Sequence, residues 1–337
     1  MTHILLLFTG GTIGSTTING TVNTDKQQSY KLINLFEQSQ TDSDIHFKAI
    51  QPVQLLSENL IPAIWETLIK AIEVENISDY DGIIITHGTD TLAFSAAALA
   101  LYFNSITLPV LLVSSNYPLD NSQANGLTHF KCAVEFIKQR KQGGVFVPYQ
   151  NPNSETLIHL GSRLASSLQL SGDFISVQSK AYLQFKNNSF KQLNTITTIP
   201  CIKTKLNPVF SKSVLLIKPY PGLDYSLFQL ENVDVILHDL YHSGTACSTS
   251  QWGENHCLSQ FIKKCQQNDI PFYMAPAISS TDAYDSTRSL IEQGAYMIWN
   301  MSLETAYVKL LLAYGNYTDK QLINQFLDSN IAFEHIQ

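Results

Sequence analysis

Two short stretches of this 337-residue chain gather hydroxyl, carboxylate and imidazole groups into turns. The first, TGGTIGS over 9–15, sets Thr9, Thr12 and Ser15 around Gly10 and Gly11. The second, HGTDT over 87–91, sets His87, Thr89, Asp90 and Thr91 around Gly88. A threonine hydroxyl is a weak nucleophile until a base or a hydrogen-bonded network takes its proton. Thr89 with Asp90 beside it offers a nucleophile and a partner in proton handling. Glycines let backbone approach a ligand and leave N–H groups free to hold a developing oxyanion. Each turn also has a plainer reading. TGGTIGS can be a tight glycine turn, and Thr89, Asp90 or Thr91 can cap a helix that starts near Leu92. Two threonine-bearing turns at successive strand ends favour a shared pocket around a small polar substrate.

The elements that position these turns follow from hydrophobic patterning. HILLLF (3–8), GIIIT (82–86), PVLLVSS (109–115) and VFVPY (145–149) read as buried strands. NLIPAIWETLIKAIEVE (59–75), the alanine-rich run after Asp90 and NGLTHFKCAVEFIKQR (125–140) read as helices, the last stopped at Gly143-Gly144. Alternation of this kind predicts an α/β fold with a parallel sheet. Both turns then lie past the carboxyl ends of strands, where open α/β sheets bind ligands. Nucleotide motifs do not fit: the glycines keep neither a G-x-G-x-x-G register nor G-K-[ST]. Residues 151–212 are polar and weakly periodic and read as irregular strands followed by a linker near 186–212, and alternation resumes at Ser213. The expected organisation is a larger N-terminal domain over 1–185, a linker over 186–212 and a smaller α/β domain over 213–337.

Composition narrows the partners. Hydrophobic residues make up 44%, charged residues 15%, and the net charge is -7. With only 21 Lys and Arg and no dense basic run, nucleic acid and anionic membrane are excluded as expected partners. No apolar stretch reaches the roughly 18 residues of a spanning helix. The opening MTHILLLFTGG reads as a first strand and not as a signal peptide. Five cysteines without a C-x-x-C pair suit reduced thiols and a cytoplasmic protein. His238 and His242 are four apart but follow a strand, so no metal site is expected. SENL (57–60) either begins the next helix, capped by Ser57 or Asn59, or turns Ser57 and Glu58 toward a ligand.

Taken together, TGGTIG (9–14), LSENL (56–60), HGTDTLAFSAAAL (87–99), PVLLVSSNYPLDNSQANGL (109–127), YHSGTA (241–246) and the SLETAYVKLLLAYG run resemble the bacterial-type L-asparaginase family, closest to its cytosolic type I branch. The resemblance implies an asparaginase-type two-domain α/β fold. It implies hydrolysis of the side-chain amide of asparagine without metal or cofactor, by a homodimer or homotetramer. Thr12 resembles the primary nucleophile, Thr89 the second catalytic threonine, and Asp90 its acidic partner, which also binds the α-ammonium. Ser57 and Glu58 match the pair that holds the substrate's α-carboxylate and α-amino group. Gly11 and Gly88 stand in the substrate-facing turns. Ser115 matches the position whose backbone carbonyl faces the amide.

The chain departs from the family in three places. The family pattern Gly-x-Arg-x-x-Lys reads GSRLAS over 161–166, so Ser166 stands where the catalytic lysine is expected. A lysine keeps the aspartate ionised and relays the hydroxyl proton, whereas serine brings a hydrogen bond and no charge. Arg163 has too high a pKa to serve as a base. In the loop NGTVNTD (19–25), Gly20 or Thr21 stands where a tyrosine activates the first threonine, and Tyr30 is the nearest tyrosine. Thr245 replaces an asparagine that in many members reaches a neighbour's active site. Two readings compete: a divergent amidohydrolase, or a binding or regulatory protein for asparagine, aspartate or a partner. A third, the amide-hydrolysing subunit of a tRNA-dependent amidotransferase, ranks lower because that subunit carries the same lysine.

Overall fold

Uninterrupted aliphatic runs become the central strands, because a strand covered on both faces needs apolar side chains at every position. The computed structural model describes residues 1–18, 21–24, 28–39, 44–195, 201–282 and 284–336. The chain divides into two units, residues 1–208 with 331–333 and residues 209–330 with 334–337.

The first unit contains β1 (Thr2–Leu7), the hairpin β2 (Ser15–Ile18) and β3 (Thr21–Thr24), α1 (Gln28–Gln38), β4 (Ile45–Ile50), α2 (Pro62–Glu73), β5 (Gly82–Thr86), α3 (Leu92–Tyr102), β6 (Pro109–Val113), α4 (Gly126–Arg140), β7 (Gly144–Tyr149), β8 (Thr156–Leu160), β9 (Leu183–Lys186) and β10 (Ser189–Gln192). Eight of these strands form one sheet in the order β10-β9-β8-β7-β6-β5-β1-β4. The five from β7 to β4 run parallel, and β8, β9 and β10 extend the sheet antiparallel. In β5 and β6 every side chain is buried, whereas the edge strand β4 turns His46 and Lys48 outward. Small residues in α3 let that helix lie buried over nearly its whole length. The Trp65 indole N–H of α2 donates to the Ser95 hydroxyl of α3 at 2.9 Å, satisfying both buried polar groups.

The second unit is a parallel four-stranded sheet, β11 (Val214–Ile217), β12 (Val235–His238), β13 (Phe272–Ala277) and β14 (Tyr296–Trp299), in that spatial order. Its helices are α5 (Leu258–Gln267), α6 (Asp285–Glu292), α7 (Leu303–Asn316) and α8 (Lys320–Asp328). Inside it, Lys309 of α7 is fully buried and meets Glu334 Oε1 at 2.6 Å. The same ammonium donates to the Leu327 carbonyl at 3.1 Å and to the Ser329 carbonyl, so the charge enters the interior fully solvated by protein.

Several expectations need revision. The stretch expected as a linker, 186–212, begins inside β9 and includes β10, which pairs with β9 as an antiparallel hairpin. Its Phe190 packs at 4.8 Å ring separation on Phe185, burial that the polar neighbours hid. Residues 201–208 belong with the first unit. β4, α1, β14 and α8 were not anticipated. α4 ends through Lys141, which adopts φ 46°, ahead of Gly143 and Gly144. The spaced histidines separate: His238 is buried with Nε2 2.9 Å from the Tyr225 hydroxyl, and His242 is exposed. Among the described residues no group of three or more His, Cys, Asp or Glu is placed to hold a metal ion. Nor, among the described residues, is any helix long and apolar enough to cross a membrane.

Burial pushes the pKa of His129, His159 and His238 down to about 4. Unfolding exposes them to water, where an imidazole titrates near 6.5. As pH falls below that value the unfolded chain takes up protons that the folded one refuses, so stability is lost toward pH 4, by on the order of 3 kcal/mol per histidine. Urea unfolding at pH 7 and pH 5, above the main carboxylate range, is expected to show a clearly lower midpoint at pH 5. Equal midpoints would contradict the burial of these rings as neutral groups.

Candidate active site

The carboxyl ends of β1 and β5 are locked together before either turn begins. Thr9 N–H donates to Thr86 Oγ1 at 3.2 Å, and the Thr9 hydroxyl donates to the Thr86 carbonyl at 2.5 Å. Thr9 is buried and its hydroxyl is consumed, so it builds the site and does not face a ligand. Leu55 N–H donates to the Thr9 carbonyl at 2.9 Å, and Gly11 N–H donates to the Leu55 carbonyl at 3.0 Å. The first turn is thereby zipped to the segment that leads into Ser57.

The two glycines then make the closest approach in the site. Gly11 has φ +71°, a left-handed value that favours glycine. A Cβ on it would lie 2.4 Å from the Gly88 amide nitrogen. A Cβ on Gly88 would lie 2.4 Å from Ser57 Oγ. Three backbone segments far apart in sequence therefore touch with no room for a methyl group. Thr12 and Thr89 each lie one residue beyond a contacting glycine, and both are partly exposed.

Ser57 and Asp90 form a single unit. The Ser57 hydroxyl donates to Asp90 Oδ2 at 2.7 Å and accepts the Asp90 N–H at 3.3 Å. Thr91 donates its hydroxyl to the Ser57 carbonyl at 3.0 Å. Thr91 is the N-cap of α3 but makes no side-chain cap bond, so the capping reading of this turn is not realised. Nor does Ser57 or Asn59 cap α2, whose first turn follows Ile61 with Pro62 leading. Asp90 pairs with no cation among the described residues. Glu58 is exposed.

The β6 turn is held from behind. Ser115 is fully buried, its hydroxyl donating to the Tyr117 carbonyl at 2.6 Å and accepting Gly126 N–H at 3.1 Å. The contribution open to Ser115 is therefore its backbone. Asn116 and Asn125 exchange bonds, each N–H donating to the other's side-chain oxygen, at 2.9 and 3.2 Å. His129, which the sequence did not single out, completes this brace. Its Nδ1 lies 2.8 Å from the Ser114 carbonyl and its Nε2 accepts Gln150 N–H at 2.8 Å. Both contacts demand a neutral Nδ1–H ring, in keeping with the low pKa that burial imposes. The only sequence signal for it was a histidine on the apolar face of a helix.

A cleft of about 980 Å³ opens beside Thr89 and Asp90 and is walled by Asn116, Tyr149, Gln150 and the residues 167–172. Those last residues directly follow Ser166, which is half-buried. Ser162 and Arg163 anchor this segment, the Ser162 hydroxyl donating to the Ala332 carbonyl at 2.6 Å and the Arg163 Nε–H to the Phe333 carbonyl. Thr245, in the second unit, shares a hydrogen bond with Ser243 at 2.9 Å. Gly20 lies outside the described residues, as do the side chains of Ser15, Thr21 and Tyr30.

A sequence-family model described as asparaginase, N-terminal, matches residues 3–202. A glutamyl-tRNA(Gln) amidotransferase subunit from Saccharolobus solfataricus is 26% identical over 350 residues, covering 98% of this chain and 76% of that protein. Its counterpart from Metallosphaera sedula is 26% identical over 293 residues, and the alignment spans 83% of this chain but only 65% of that protein. The thermostable L-asparaginase from Thermococcus kodakarensis superposes with a TM-score of 0.82 at 23% identity over 99% of both chains. L-asparaginase I from Vibrio cholerae gives a TM-score of 0.80 at 21% identity over 100% of this chain and 99% of that one. These superpositions establish the two-domain α/β fold.

The glycine contact makes a direct prediction. Gly88→Ala forces a methyl group against Ser57 Oγ, a neighbour tied to Asp90 and unable to swing away freely. Overpacking of this kind costs about 1–3 kcal/mol. The expected result in urea unfolding is a loss in that range, and a variant as stable as the parent would show that the segments have room to separate.

Proposed function

This chain belongs to the asparaginase family, and on that premise we propose that it hydrolyses a side-chain amide, with L-asparagine the leading substrate and L-aspartate and ammonia the products. The single observation that supports the reading is the Gly11–Gly88 contact, because Thr12 directly follows the first glycine and Thr89 and Asp90 directly follow the second. In the proposed reaction the Thr12 hydroxyl attacks the amide carbon and loses its proton to the local network. Backbone N–H groups of the two turns hold the oxyanion. The C–N bond breaks, ammonia leaves, and water cleaves the resulting ester to the carboxylate. Asp90 and Glu58 supply anions for the substrate's α-ammonium, while hydroxyls and free N–H groups suit its α-carboxylate. The family resemblance supports a cytoplasmic homodimer or homotetramer that needs no metal or cofactor. Glutamine belongs in the substrate panel, because glutamyl-tRNA(Gln) amidotransferase subunits are among the relatives.

A second reading rests on Asp90. Its side chain meets the Ser57 hydroxyl and no cation among the described residues, and by the family resemblance Ser166 stands where the lysine that would relay the threonine proton is expected. Under that reading the fold binds asparagine or aspartate without turnover. Ammonia release from asparagine, glutamine and a panel of small amides separates the two. Release supports the hydrolase. No release from any amide, with heat on titration with aspartate, supports binding; a silent titration as well would contradict both.

Ser166→Lys tests the missing cation. Acid–base assistance contributes about 10²–10⁴-fold in rate. The expected outcome is a rise in kcat of roughly 10²-fold and a lower pH for half-maximal rate. Unchanged kinetics would mean that the cation does not limit this site.

A further inference from the structure

His87 follows β5 directly and is almost fully buried. It is walled by Thr9, Leu55, Ser57, Leu60, Ile64 and Leu68. Its backbone N–H donates to the Val113 carbonyl at 2.8 Å, which fixes where the ring starts. Its Nδ1 lies 2.8 Å from the carbonyl oxygen of Gly88, the next residue. A carbonyl oxygen can only accept, so Nδ1 carries the hydrogen. Burial among apolar side chains lowers the pKa of His87, which keeps this Nδ1–H ring neutral.

The consequence falls on the next peptide. In a planar trans peptide the C=O and the following N–H point to opposite sides. The imidazole draws the Gly88 carbonyl inward, toward the buried ring. The Thr89 N–H is then turned outward, to the side where Thr89 and Asp90 line the cleft. That N–H has no acceptor among the described residues, whereas the Thr89 carbonyl accepts Leu92 N–H at 3.4 Å. A glycine at 88 could otherwise let this peptide rotate, because glycine tolerates backbone conformations closed to other residues. We infer that His87 is a positioning residue: its Nδ1–H locks the 88–89 peptide so that the Thr89 N–H is presented to the cleft as a preorganised donor for the oxyanion of an amide substrate. The inference rests on the amidohydrolase reading for its chemistry but not for its geometry.

Three variants separate the hydrogen bond from the bulk of the ring. Asparagine at 87 can place an N–H close to the position of Nδ1. Glutamine places it near Nε2, and leucine fills space without a donor. Loss of a single oxyanion donor costs about 10²–10³-fold in kcat. Misaiming one is expected to cost about 10- to 100-fold in His87→Leu and His87→Gln, with KM changed less than about threefold. His87→Asn is expected to recover to within about threefold of the parent, a rescue that space-filling alone would not produce. Equal losses in all three variants would overturn the inference. Crystal structures of the variants give a second readout that needs no activity. The 88–89 peptide is expected to be rotated in the leucine and glutamine variants and unmoved in the asparagine variant; an unmoved peptide in all three overturns the inference. If the leucine variant does not fold, the glutamine and asparagine pair decides by the same criteria. If the parent releases no ammonia from any amide, the functional proposal fails while the crystallographic comparison still decides the role of His87.

Discussion

Backbone-to-backbone contact at Gly11 and Gly88 is the constraint on which the site depends. No side chain fits between them, so the first turn, the HGTDT turn and Ser57 must move together or not at all. The contact is secured from below by Thr9 and Thr86, which exchange two bonds across the ends of adjacent parallel strands. The third strand end is braced separately, by His129 and the Asn116–Asn125 pair. Rigid scaffolding of this kind is what electrostatic catalysis requires, since donors that need not reorganise are worth most.

The charge arrangement of the site is unusual for proton transfer. Asp90 is held by a hydroxyl and by its own N–H bond to that hydroxyl. Its carboxylate is exposed to the cleft, so water helps to solvate it. A carboxylate in that condition can attract a substrate ammonium without a lysine. It is a poorer relay for a threonine proton, because nothing nearby compensates the charge that develops. Attraction of an ammonium and relay of a hydroxyl proton thus make different demands on Asp90, and only the second calls for a compensating cation. The histidines do not fill the gap: His87 and His129 are rings kept neutral by burial, each bonded through Nδ1 to a backbone carbonyl.

Much of this was legible in the residues because it follows from local rules. Runs such as GIIIT and PVLLV can only be covered strands, and both threonine turns fall at their ends. Ser57 could be singled out within SENL, but its bond to Asp90 could not be read there, because nothing in SENL specifies a partner 33 residues away. Thr9 was expected to offer a free hydroxyl, and the neighbouring strand end took it. The capping alternative for Thr91 failed because its hydroxyl is aimed at a long-range partner, the Ser57 carbonyl, and makes no bond to the N–H groups of the helix it precedes. β10 was hidden by polar residues, since an antiparallel strand at a sheet edge needs only one apolar face. His129 gave only a weak signal, as a histidine on the apolar face of a helix reads as ordinary core until its two partners are seen.

The central claim is that Thr12, placed by the glycine contact, carries the substrate's acyl group. Acid quenching during turnover of an amide substrate, followed by mass spectrometry of the digested protein, tests it most directly. The account predicts a peptide containing Thr12 that is heavier by one acyl group, with the adduct lost on mild base. Ammonia release with the adduct on another residue, and Thr12 unmodified throughout, would contradict it.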